Sequence, residues 1–142
     1  MSAASNYLEN KLLDHTLRYS TAPYTGVSTL YLALFTNTSG NAATNLEAGT
    51  TSTDEISTSG SAYARKTVTF AAASSGTSAS SATVTFDTAT ADWGTITHVA
   101  VMDGGTRGSG NVLFWGAVTT SKTISTGDTF QVSSGNLTIS LA

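Results

Sequence analysis

Cysteine is absent from the 142 residues, so the chain has neither a disulfide framework nor a thiolate metal site. Proline occurs once, at Pro23, just ahead of the first expected strand. Charge is scarce: Asp, Glu, Lys and Arg make up 11% of the chain, under half the usual share of about 25%. Six Lys and Arg stand against nine Asp and Glu, which leaves no basic footprint and excludes nucleic acid as an electrostatic partner. No apolar run approaches the roughly 18 residues of a membrane span, so no membrane partner is expected. The opening residues Met1 to Asn6 lack the basic and apolar segments of a secretory signal, and synthesis in the cytoplasm without a signal peptide is expected. Sustained heptads are also missing, which excludes a long coiled coil.

Leu, Ile, Val and Phe together number 28, near the level below which chains stay disordered. Disorder also needs a high net charge, and here it is only −3. Ser and Thr supply 47 residues, a third of the chain. Length and composition therefore describe one soluble, β-rich domain with a hydroxyl-covered surface.

Residues 1–20 are read as a helical arm. Leu8, Leu12, Leu13 and Leu17 recur at helical spacing, with Glu9, Asn10, Lys11, Asp14 and Arg18 on the other side. Asn6 and Glu9 have capping-box spacing, and Arg18 falls where the helix dipole favours a cation. So short a helix is marginal alone in water, so its leucine stripe must rest either on its own domain or on a neighbouring subunit.

Residues 21–142 are read as an antiparallel β-sandwich of jelly-roll type with about eight strands. Leu30, Leu32 and Leu34 alternate with Tyr31, Ala33 and Phe35, which describes a strand buried on both faces. Residues 37–61, rich in Ser, Thr, Gly and Asn, read as a long loop. The Thr-Val-Thr-Phe motifs at 67–70 and 83–86 read as two neighbouring strands, with a polar spacer between them. Residues 95–103 and 112–118 read as strands joined by a Gly-rich turn, 123–133 as a short hairpin, and Leu137, Ile139 and Leu141 as a last strand.

Little in the sequence points to catalysis. His15 and His98 are far apart, no HxH or HExxH spacing occurs, and no Gly-x-Ser-x-Gly elbow is present. His98 reads as a half-buried strand residue with a backbone or hydroxyl partner. The stretch Gly104 to Gly110 lacks the Gly-Lys-Ser/Thr ending of a phosphate loop, and Asp103 beside it lacks the regular carboxylate series of a calcium loop. Asp54, Glu55, Asp87, Asp92 and Asp103 could pair for glycoside cleavage, yet only Asp92 has an aromatic neighbour, Trp93. The expectation is a non-enzyme with no catalytic residue, cofactor or metal. Trp93 and Trp115 read as core. Tyr63 and Arg65 share a strand face, where stacking or an interface contact would fit. The candidate interface residues are thus Leu8, Leu12, Leu13, Leu17, Tyr63 and Arg65.

Several segments taken in order resemble a family. They are Asn6 to His15, Leu30 to Thr36, Ala62 to Arg65, Val68 to Phe70, Val84 to Phe86 and Trp93 to Val99. Gly110 to Leu113, Ser121 to Ile124, Gly127-Asp128 and Gly135 to Leu137 complete the series. Together they resemble small virion structural proteins of tailed phages, usually labelled tail-fibre-like. The resemblance implies a place on the virion surface and brings no catalytic or metal-binding residue with it. Three roles follow: a capsid decoration or cement protein, a fibre or receptor-binding tip recognising host glycan, and a carbohydrate-binding β-sandwich module. A compact unit without shaft repeats favours decoration. The expected partners are its own copies as a trimer, the major capsid protein or other virion proteins, and host glycan for a tip.

Overall fold

The computed structural model describes residues 3–18 and 24–141; Pro23 and the expected boundary between residues 20 and 21 lie outside them. In chain order the elements are β1 (Ala3–Ala4), α1 (Asn6–Leu17), β2 (Leu30–Phe35), α2 (Ala42–Glu47), β3 (Lys66–Val68) and β4 (Thr77–Ala79). They continue with β5 (Val84–Thr85), β6 (Gly94–Met102), β7 (Val112–Ile124), β8 (Gln131–Val132) and β9 (Thr138–Ser140).

The architecture is mostly β and wholly antiparallel. A five-stranded sheet runs β1-β7-β6-β2-β3, and two ribbons pair β4 with β9 and β5 with β8. Among the described residues the second layer is therefore two separate ribbons, not the second sheet of a jelly roll. Among the described residues the strands form no closed barrel.

β2 is buried on both faces, as its sequence demands. Leu32 and Leu34 enter one core cluster with Val68, Val84, Phe86, Trp93 and Phe130. Ala33 and Phe35 enter another with Leu46, Ala100, Met102 and Val112. Strand alternation splits these residues between the two clusters. A bulge between Ile96 and His98 lets β6 send Ile96, Val99 and Val101 to the first cluster and Ala100 and Met102 to the second.

Four local expectations need correction. The α1 cap is Ser5, not the Asn6–Glu9 pair: Ser5 Oγ accepts from Leu8 N at 3.4 Å and donates to Val112 O. That second bond is long-range and ties the helix start to β7. The polar spacer between the two Thr-Val-Thr-Phe motifs contains β4, held by β9 and by the Thr77–Ser140 hydroxyl contact at 3.1 Å. Residues 123–133 do not pair as a hairpin, because β7 bonds to β6 at Ile124 while β8 bonds to β5. The long loop holds α2, where Asn37 Oδ1 accepts from Ala42 N at 2.9 Å and Leu46 is buried on the sheet. The helix is capped at Ala48 and the chain turns away at Gly49, whose φ of +79° suits glycine.

The two Thr-Val-Thr-Phe segments lie side by side: Val68, Val84 and Phe86 share a cluster, and Lys66 Nζ meets Asp87 Oδ2 at 2.8 Å. They belong to different sheets, however, and so are neighbours in packing rather than in hydrogen bonding.

Candidate functional site

Tyr63 and Arg65 do not lie at a surface. They sit inside the chain with Glu55, where the Arg65 and Glu55 side chains are both 0% exposed. The pair is bidentate: Arg65 Nε donates to Glu55 Oε1 at 2.7 Å and Nη2 to Oε2 at 2.8 Å. Arg65 Nη1 donates to Gly104 O at 2.7 Å and Ser109 O at 2.8 Å, in the turn between β6 and β7. Tyr63 OH donates to Glu55 Oε1 at 3.1 Å and accepts from Leu34 N at 3.0 Å. Burial first, and then the Glu55 charge, push the Tyr63 phenol well above its ordinary range, so it remains a donor. Every buried side-chain donor and acceptor described has a partner. The expected interface pair is instead a knot joining the long loop, the segment before β3 and the β6–β7 turn.

The same turn supplies a second clamp. Arg107 Nε donates to Ile56 O at 2.9 Å, and its Nη2 to Ser52 O at 2.9 Å and Glu55 O at 3.0 Å. The turn is closed by Asp103, which accepts from Asn111 Nδ2 at 2.8 Å and from Asn111 N. Gly110 is required there: at φ +74° a Cβ would stand 2.6 Å from Asp103 Oδ1 and 2.7 Å from Gly104 N. The Asp103 carboxylate is thus committed to the hairpin.

Asp54 fixes the other end of the loop. Its carboxylate accepts from Ser39 N at 2.9 Å, Ser39 Oγ at 2.7 Å and Asn45 Nδ2 at 3.0 Å. Burial alone would raise its pKa, but these bonds outweigh it and hold the carboxyl below its ordinary value. His98 is half-buried, bonded to the Thr97 hydroxyl at 2.9 Å, and burial lowers its pKa against the pull of Asp54. Trp93 is core, with Nε1 donating to Ser61 O at 2.8 Å. Trp115 is half-buried, and its Nε1 donates to Glu47 Oε2 at 2.8 Å. Among the described residues no three His, Asp or Glu side chains come together as metal ligands.

The four leucines of α1 do not form one stripe. At about 100° per residue, Leu12 lies close to Leu8 around the helix, whereas Leu13 and Leu17 lie on the far side. Leu8 is 3% exposed and Leu12 half-buried on the side of α1 turned to β7. Leu13 is 56% and Leu17 75% exposed. Leu8 and Leu12 thus take the side toward the domain, while Leu13 and Leu17 face outward.

Residues 3–140 match the family model for podophage GP4 fiber I protein gp80. The chain belongs to this family of phage tail fibre proteins. A search of the curated proteins finds no match. Membership makes the chain a virion fibre component that associates with other virion proteins. It also reverses the preference between the two virion roles, because the matched family is a fibre family and not one of head decoration. The absence of shaft repeats, which favoured decoration, is a property of this chain alone and does not limit the fibre it joins.

Proposed function

We propose that the chain is a non-catalytic building block of the tail fibre, assembled as a trimer of its own copies through the outward face of α1. The observation that carries this reading is the exposed pair Leu13 and Leu17, large apolar groups on a helix whose inner side is already satisfied by β7. Exposed residues Glu9 and Arg18, with the half-buried Lys11 and Asp14, mix both signs along the same helix. Asp14 and Arg18 pair within the helix at 3.3 Å, so charge is balanced locally and the exposed leucines are left to carry a head-to-tail contact that three identical chains can close. A second task of a fibre module is contact with host-surface glycan, and the Ser- and Thr-rich loops supply the polar groups for it.

Light scattering on the purified chain tests the assembly. A trimer is expected, and Leu13→Asp with Leu17→Asp should leave the circular dichroism spectrum unchanged while converting the trimer to monomer. Placing carboxylates in an apolar contact is costly, whereas at a solvated position it is nearly neutral. A monomeric parent chain, or a variant that remains trimeric, would overturn the reading.

A further inference from the structure

A polar hollow of about 350 Å³ opens between the end of β2, residues 53–61, residues 91–93 and Arg107. Its volume falls within the range of small-molecule clefts, about 300–1,000 Å³, but its lining is mainly hydroxyl and charged groups rather than apolar side chains. We propose that this hollow is a binding site for a neutral saccharide. The inference rests on the fibre reading only for the source of the sugar, a host surface.

The groups that converge there are of three kinds. Arg107 is a donor held in place: its Nε and Nη2 are spent on the carbonyls of residues 52, 55 and 56, while Nη1 has no hydrogen bond to a described residue. Asp92 is an acceptor held in place. Its Oδ1 accepts from Thr126 N at 2.8 Å and Thr126 Oγ1 at 3.1 Å, and Oδ2 has no partner among the described residues. Those two bonds hold its carboxyl below the ordinary value, so the group is charged at neutral pH. The hydroxyls of Thr53 and Ser59 also have no partner among the described residues and can donate or accept.

A vicinal diol uses this combination fully, since each sugar hydroxyl both donates and accepts. Other ligand classes fit less well. A phosphate or acidic sugar would meet one free guanidinium nitrogen but also the Asp92 charge, on a chain of net charge −3. A metal ion would find one carboxylate oxygen without a described partner, because Glu55 is taken by Arg65 and Asp54 by Ser39 and Asn45. Because the Arg107 clamp is already made in the free chain, little side-chain entropy is lost when a ligand arrives. The hollow is open, so a single site should be weak. Several copies on one fibre would raise the overall affinity by effective concentration.

The test uses the full chain and a panel of neutral hexoses, 6-deoxyhexoses and N-acetylhexosamines, read by saturation-transfer NMR and titration. At least one panel sugar is expected to bind in the millimolar range. Asp92→Asn should weaken it about tenfold, the loss expected for a hydrogen bond to a charged group. Thr53→Val with Ser59→Ala should also weaken binding, with an unchanged melting temperature because neither hydroxyl is bonded within the described chain. Binding of no panel sugar, binding of inorganic phosphate in preference to every sugar, or sugar binding indifferent to both variants would each overturn the proposal. The oligomeric state is read separately on the same samples, so failure of this site and failure of the trimer are distinguishable.

Discussion

Arg65→Met is expected to destabilise the chain by about 3–5 kcal/mol, the range for removing one partner of a buried ion pair. The substitution leaves the Glu55 carboxylate in a site with no solvent access and with Tyr63 OH as its remaining side-chain donor. It also strips the carbonyls of Gly104 and Ser109 of the Nη1 donor, which frees the β6–β7 turn from the long loop. Glu55→Met with Arg65→Met should recover much of the loss, because the uncompensated charge is gone and the two side chains can fill similar space. Urea denaturation of the parent, the single variant and the double variant decides the matter. A single variant within about 1 kcal/mol of the parent would show that the pair is not the tie described here.

Phe86→Ala should cost a similar amount, about 3–5 kcal/mol, for a different reason. Phe86 is 1% exposed and stands at the centre of an aromatic group: its ring centroid lies 6.0 Å from Tyr63, 6.3 Å from Trp93 and 5.9 Å from Phe130. The β5–β8 ribbon, through Phe86 and Phe130, meets there the segments that lead into β3 and β6 of the five-stranded sheet, so the cavity lies between layers and cannot close by a shift within one ladder. Phe86→Leu should recover part of the loss by refilling some of the volume. Equal stability of the alanine variant and the parent would mean that the ribbons are not held to the sheet through this residue.

The sequence is most legible where local pattern and burial agree. The alternation of Leu30, Leu32 and Leu34 with Tyr31, Ala33 and Phe35 places β2 between two clusters because every second residue turns to the same face. The Gly-rich run from Gly104 to Gly110 identifies a hairpin because its neighbours on both sides are alternating strands. Legibility fails where a short element is made by a distant partner. α2 has six residues and one leucine, too few for a helical period, and it is fixed by Leu46 on the sheet and by Trp115 reaching Glu47. β4 is Thr-Ser-Ala, a polar sequence that is a strand only because β9 pairs with it.

The leucines of α1 show a subtler limit. Their spacing is helical throughout, yet Leu8 and Leu12 fall on one side and Leu13 and Leu17 on another, which a list of spacings conceals and a count of about 100° per residue reveals. Arg65 was legible in part: it shares a face with Tyr63, an aromatic that suits a core. Charged side chains are so seldom fully buried that a surface was the natural assignment. The partner that permits burial, Glu55, lies across the loop and carries no local sign of its role. The polar hollow was invisible for the same reason, since its walls come from four separated stretches of chain.

Averaged electron images of intact virions test the central claim most directly. The account predicts density fitting the five-stranded sheet and its two ribbons in the tail fibres, repeated around a three-fold axis with α1 at the contacts between copies. The same density on the head lattice, and none in the fibres, would contradict it.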